Sequence, residues 1–284
     1  MLRKYRKPGS RLMKSERMVQ ILLGVFIVIL AVEVLFPLFL LVFNSFKLDT
    51  TNPIDWPKEG FSVEGYVLIW EYIKGNYLNS LIVAFSVSLG VTLVGSLAGY
   101  AFAHFSFLGK NILFIGILSF MMVPGLLTLT ARYKLVLALG LNNNLLGVIL
   151  PQIATSLPFA IFLTKTFFQN LPKQMFEAAR MDGLSEAKQF YKLVLPLSQP
   201  IITTILIQTF VGQWNDYLWS RLVLQDEALQ TLPVALVSLT ESLGEFSYCA
   251  PFAGYVLSAI PLILIFLFGN KKFIAGMTSG AFKM

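Results

Sequence analysis

Residues 177–196 read EAARMDGLSEAKQFYKLVLP, and the reading of this polar stretch decides how the rest of the chain is understood. Long apolar segments lie on both sides, so a charged insert stands between two lipid-loving runs. Pro172 suits the first turn of a helix, where its missing N–H would go unpaired in any case. Phe176, Ala179 and Gly183 recur at i, i+3 and i+7 and form one narrow face of small and apolar groups. Gly183 is expected to stop that helix in the left-handed conformation, and Ser185 to cap a second helix running toward Leu195. Pro196 and Pro200 mark re-entry into the membrane. The spacing predicts helix, glycine turn, helix, set parallel to the bilayer surface. If the insert merely lay on headgroups, Glu177 would pair only with Lys173 or Arg180, worth about 0.2–0.5 kcal/mol. So short a helix with so narrow an apolar face holds lipid weakly. Docking of a protein partner is the favoured reading, with Ala178 and Ala179 letting its groove close tightly.

The chain outside the insert says how this surface is mounted. Of 284 residues, 56% are hydrophobic and 13% charged, and the mean hydropathy is +0.72. Such a composition is too apolar for a soluble domain of this size and fits an all-α polytopic membrane protein. Six spans are expected: Val19–Phe43, Tyr77–Ala103, Ile112–Ala131, Leu145–Thr164, Ile201–Trp219 and Pro251–Asn270. Pro124, Pro151 and Pro158 interrupt the third and fourth, which membrane helices tolerate when neighbours re-satisfy the freed carbonyls. The first span reads as retained, because its apolar run is too long for a signal peptide and no small-x-small site follows it. The expected organisation is a basic N-terminus 1–18, a first helix 19–43, a five-helix core 77–270 containing the loop 172–196, and a tail 271–284.

Lys and Arg sort by side. Sixteen fall on the N-terminus, the second-to-third and fourth-to-fifth connections and the C-terminus, against six on the other side. Both termini and the insert are therefore expected in the cytosol. The same sorting explains the net charge of +7 by topology, with no need for nucleic acid. Trp70, Tyr72, Trp214, Tyr217 and Trp219 suit interfacial belts. The two outer loops, roughly 44–76 and 220–250, are long enough to touch an external partner. Gly95 and Gly99, with Gly90 and Ser96 nearby, are read as a packing face of the second span.

Few groups carry chemistry. The single cysteine, Cys249, forms no internal disulfide, and the single histidine, His104, reads as an interfacial side chain at a helix end. No phosphate-binding GxxxxGK[ST], no HExxH and no GxSxG occurs, so no catalytic set, metal site or cofactor is assigned. Glu33 in the first span is either a pore residue or a protonated group facing a neighbouring helix, the second being favoured because the first span is expected outside the shared helical core. Trp214, Asn215 and Asp216 are either a structural cluster or part of a solute pathway, where amide, carboxylate and indole would meet sugar hydroxyls. An ion-coupled carrier would place acidic groups on several spans, and only Glu33 and Asp216 qualify.

The pattern Glu177-Ala178-Ala179, Gly183, Leu193, Leu195-Pro196 resembles the EAA loop of ABC-importer permeases, with Leu193 where isoleucine is usual. FFQNLPKQMFEAARMDG at 167–183, QTFVGQWNDYLW at 208–219, LQTLPVAL at 229–236 and FIAGMTSGAFK at 273–283 are similar to the carbohydrate branch, in particular the smaller six-span subunit of maltose-type transporters. Met284 departs from a customary glycine. The resemblance implies a type I importer transmembrane domain with a cytosolic coupling helix. It implies a second permease subunit, a dimer of cytosolic ATPases that hydrolyse ATP in this chain's stead, and an external sugar-binding protein. Glu177 would pair with a basic residue of the ATPase, and Gly183 would permit the turn that fits its cleft.

Overall fold

The computed structural model describes residues 14–47, 54–58, 60–243 and 249–281. The basic residues before Lys14, with Asp49, Glu59, Glu245 and Met284, lie outside that set. Apart from one isolated bridge between Lys47 and Phe61, the regular elements among the described residues are helical. In chain order they are α1 (Lys14–Asn44), α2 (Glu64–His104), α3 (Lys110–Ser119), α4 (Gly125–Ala138), α5 (Leu145–Phe168), α6 (Lys173–Met181), α7 (Glu186–Gln189), α8 (Leu195–Leu197), α9 (Gln199–Trp214), α10 (Leu218–Val223), α11 (Leu232–Leu243) and α12 (Cys249–Ala281). A 3-10 turn, Phe120–Met122, follows α3, and a π-helical turn, Phe190–Val194, joins α7 to α8. Four helices are long and apolar enough to cross a membrane, or six if each of two bent pairs is one span.

Several expected boundaries move, each for a local reason. The second span begins at Glu64, not Tyr77. Ile69 and Ile73, one turn apart, are buried with Leu232, Leu236 and Ala253, so the N-terminal extension of α2 is held by its own core. The third expected span is broken: Val123 is extended (φ −85°, ψ 119°) and the chain bends by 103° between Met122 and Gly125. A residue before proline is driven from helical dihedrals by the proline ring, and Pro124 follows. Pro151 and Pro158 instead lie inside α5 without ending it. The fifth span stops at Trp214, short of Trp219, and the outer loop after it folds into α10 and α11. α12 continues past Asn270 and carries Gly276 and Gly280 in helical backbone.

The centre of the bundle is the α2–α5 contact, where the glycines act as the packing face expected of them. A Cβ on Gly95 would sit 2.7 Å from the Ala160 methyl, and one on Gly99 would sit 2.0 Å from Thr164 Oγ1 and 2.9 Å from the Lys165 amide nitrogen. Thr164 Oγ1 lies 2.7 Å from the Ala160 carbonyl and 2.9 Å from the Gly95 carbonyl of the facing helix. In lipid, where burial from water supplies no drive, such close backbone approach is what binds helices.

α1 lies against α12 but is exposed over most of its length, so it stands outside this core. Glu33 is exposed on α1. At the far end of the bundle from α6, asparagines stitch the irregular segment 224–231 in place. Asn76 Nδ2 donates to the Glu227 and Gln230 carbonyls, and Asn79 Nδ2 to the Ala228 and Gln230 carbonyls. Asn143, at φ +53°, accepts from the Gln225 and Asp226 amides. Asn143→Gly keeps the left-handed backbone but deletes both bonds. It is expected to lower stability by about 1–3 kcal/mol, read as a fall in the thermal midpoint of the purified protein.

Candidate coupling surface and solute recess

α6 is a short amphipathic helix whose apolar face is turned inward. Phe176 and Ala179 are each 6% exposed, and Phe176 lies on His104 with ring centroids 4.2 Å apart. The face of Phe176 and Ala179 therefore mounts the elbow on its own bundle instead of serving a partner. Glu177 and Ala178 point away and are exposed, so of the two alanines only Ala178 is presented. Among the described residues no side chain bonds Glu177. Arg180, one of the two partners expected for it, pairs with Glu186 at 3.0 Å. Pro172 is the residue just before α6, with ψ 126°, one position earlier than the sequence suggested.

The turn after α6 is a double hydrogen-bonded stop. The Gly183 amide donates to the Arg180 carbonyl at 3.0 Å and the Leu184 amide to the Ala179 carbonyl at 2.9 Å. This pairing requires a left-handed residue between them, and Gly183 has φ +75°. No atom lies within 4 Å of where its Cβ would be, so a side chain there strains the backbone without a clash inside the chain. Gly183→Ala is expected to cost about 1–2 kcal/mol and Gly183→Asn clearly less. Parallel thermal melts of the two variants check the order.

Ser185 takes the position before α7, but its side chain makes no capping bond. Gln189 does the closing: it is 1% exposed and its Nε2 donates to the Leu184 carbonyl at 2.9 Å. Phe190 and Val194 are buried below, Leu195 is half-buried, and Pro196 is exposed at the start of the return. Tyr100 of α2 ties the elbow down, its hydroxyl donating to the Glu186 carboxylate at 3.0 Å and its ring lying 5.2 Å from that of Phe190. His104 is thus part of the elbow's seat, a role that its place at a helix end did not reveal. Tyr100→Phe keeps the ring and loses a bond to a carboxylate. It is expected to destabilise by about 1.5–3 kcal/mol, seen as faster proteolysis within 173–189 before any loss of the bundle.

Each of the second group of residues singled out by sequence has a bond within the chain, as the structural-cluster reading expects. Trp214 is 2% exposed, donates Nε1–H to the Ser258 carbonyl at 3.0 Å and stacks on Phe210. Asp216 accepts from the Ser220 amide and hydroxyl at 3.0 and 2.9 Å, which starts α10. Asn215 Nδ2 donates to the Val211 carbonyl at 2.8 Å. Asn215 and Asp216 hold the α9–α10 break, while Trp214 ties the end of α9 to α12. Trp219 is also 2% exposed, beneath the Arg132 guanidinium at 4.7 Å, so neither it nor Trp214 forms an interfacial belt. A recess of about 190 Å³ lies one turn away, between α5 and α9, with Ser156, Phe159, Gln208, Thr209, Gly212 and Gln213 among its walls. Its signal in the sequence is a pair of amides at 208 and 213 and a hydroxyl at 209 that interrupt an apolar span.

This arrangement, a helical bundle with a mounted elbow on one end, has a close solved counterpart. The chain superimposes on the crystal structure of a bacterial ABC transporter involved in the import of the acidic polysaccharide alginate, with a TM-score of 0.81 over 93% of this chain and all of that one, at 21% identity. That likeness defines the fold as a type I ABC importer permease. The family model of the binding-protein-dependent transport system inner membrane component matches residues 91–278, and the chain belongs to that family. It is a multi-pass membrane transport component and not an enzyme. Among curated relatives, the arabinooligosaccharides transport system permease protein AraQ of Bacillus subtilis is 33% identical over 93% of this chain and 96% of its own. The trehalose/maltose transport system permease protein MalG of Thermococcus litoralis is 29% identical over 95% and 99%. The maltodextrin transport system permease protein MalD of Streptococcus pneumoniae is 28% identical over 95% and 97%.

Proposed function

We propose that this chain is one of two permease subunits of an ATP-driven importer of oligosaccharides. In it, a separate ATPase dimer grips Glu177, Ala178 and Gly183, with Leu195 and Pro196 carrying the motion into α9. The observation that carries the reading is the elbow. It is a short helix nailed to the bundle by Phe176 and Ala179, while a carboxylate unneeded by the fold, Glu177, is held outward. An exposed, unpaired carboxylate beside a small residue suits a basic partner in a close-fitting groove. The excess of Lys and Arg on the elbow side supports a cytosolic elbow, cytosolic termini and six spans, each bent pair crossing once.

The sugar assignment draws on relatives named for arabinooligosaccharides, trehalose or maltose, and maltodextrin. An external binding protein would deliver the solute at the outer loops. ATPase closure would draw two elbows together and rock the pathway from inward-open to outward-open. No observation favours an ion-coupled carrier. Affinity purification of the tagged chain from its native membrane tests the proposal. An ATPase and a second permease in stable ratio are expected; the chain alone, active as a transporter, would refute it.

A further inference from the structure

We infer that the recess between α5 and α9 is a subsite for a neutral saccharide, in which Gln213, Thr209 and Ser156 bond sugar hydroxyls beside the apolar ring of Phe159. The inference rests on the sugar-permease reading and assigns part of the solute path to this chain.

Gln208, Thr209, Gly212 and Gln213 lie at i, i+1, i+4 and i+5, a single stripe of α9. The opposite stripe, Ile207, Phe210 and Trp214, is buried in the bundle. A polar stripe turned outward from an apolar span is costly against lipid, so it belongs to a wet path. Thr164, Thr166 and Thr204 on these two helices reach the carbonyl four residues back and Thr155 the carbonyl three back, whereas Thr203, outside the recess, makes no such bond. Among the described residues Ser156 and Thr209 make no such bond, and Gln213 Oε1 is buried with no partner at all. Eight buried side-chain polar atoms lack a partner among the described residues, and Gln213 Oε1 is the one that lines the recess, where a donor from outside the chain would relieve the cost of an unmade bond.

Gly212 meets nothing within 4 Å of its would-be Cβ, so its lack of a side chain keeps the opening between Thr209 and Gln213 clear. No Lys, Arg, Asp or Glu is among the lining residues. Amides and hydroxyls serve as both donors and acceptors, as sugar hydroxyls do, whereas an acidic or phosphorylated solute would call for a cation. At about 190 Å³ the recess is smaller than a complete small-molecule site. It is one wall of a path, closed by the second permease subunit.

The test uses the assembled complex, with its partner permease, ATPases and binding protein, in vesicles. The solutes are maltotriose, trehalose and arabinotriose. In a Cys249→Ser background, Gln213→Cys is labelled with a water-soluble thiol reagent. The imported sugar is expected to slow labelling at least about fivefold. Gln213→Leu and Thr209→Val are expected to cut its uptake by about tenfold, with partner co-purification intact. Equal labelling with and without a sugar that the wild-type complex imports would overturn the subsite and leave the permease reading standing. Import of none of the three by a complex that does contain the ATPase would overturn the neutral-saccharide assignment. Absence of the ATPase would overturn the reading beneath it.

Discussion

Gly99→Leu is expected to remove folded chain from the membrane. A Cβ alone would intrude to 2.0 Å from Thr164 Oγ1 and 2.9 Å from the Lys165 nitrogen, and the second of these is backbone, which cannot swing aside. α2 and α5 would have to part, which would break the contact of Thr164 with the Gly95 carbonyl and open the cluster around Tyr100, Ala160 and Phe168. Overpacking typically costs about 1–3 kcal/mol, occasionally more, and leucine adds three carbons to an already impossible contact. That is a large share of the margin that keeps a protein folded. The control is Gly75→Leu on the same helix, where nothing lies within 4 Å. Quantitative immunoblots of membranes and a fluorescence-detected size profile should show the Gly99→Leu protein absent or aggregated and the Gly75→Leu protein at wild-type level. A monodisperse Gly99→Leu protein at normal yield would contradict the α2–α5 geometry.

Glu177→Lys is expected to have the opposite signature: full accumulation and no transport. Glu177 is exposed, and no described side chain depends on it, so the fold should not register the change. If a cationic groove of the ATPase receives this carboxylate, reversal places like charges together in a desolvated contact. Losing a buried charge pair costs about 2–5 kcal/mol, or roughly thirtyfold to several thousandfold in affinity, and charge reversal adds repulsion to that loss. Uptake should therefore fall at least about a hundredfold, and the ATPase should no longer co-purify, while melting of the permease pair stays unchanged. Reversal of a basic partner residue should restore both. Normal uptake by the Glu177→Lys protein would refute docking at this surface.

What could be read from the chain divides by the range of the interaction. The elbow was legible because its signals are local: a proline before the helix, a glycine six residues after Glu177, and small apolar groups three apart. Its orientation was not. Whether Phe176 and Ala179 face a foreign groove or the chain's own His104 depends on a contact spanning some seventy residues, which no periodicity encodes. The break at Pro124 and the tolerance of Pro151 and Pro158 differ for a similar reason: the same residue ends one helix and not another according to its neighbours. Trp214 and Asp216 drew attention as polar or aromatic groups in an apolar run. Their partners, Ser258 and Ser220, turn them into fasteners, while the less conspicuous Gln213 keeps an unmet acceptor.

The 41 residues of α2 form one unbroken helix, one end of which seats the elbow through Tyr100 and His104 while its other part is sewn to the 224–231 segment through Asn76 and Asn79. From Asn76 to Tyr100 it covers about 36 Å, more than the hydrocarbon thickness of about 30 Å. No proline lies anywhere in it to act as a joint. If the elbow is moved as proposed, a tilt of α2 at that end reaches the other end of the same helix. On the proposed importer reading such a helix acts as a pushrod, linking the elbow to the opposite end of the bundle without a relay of small rearrangements in between.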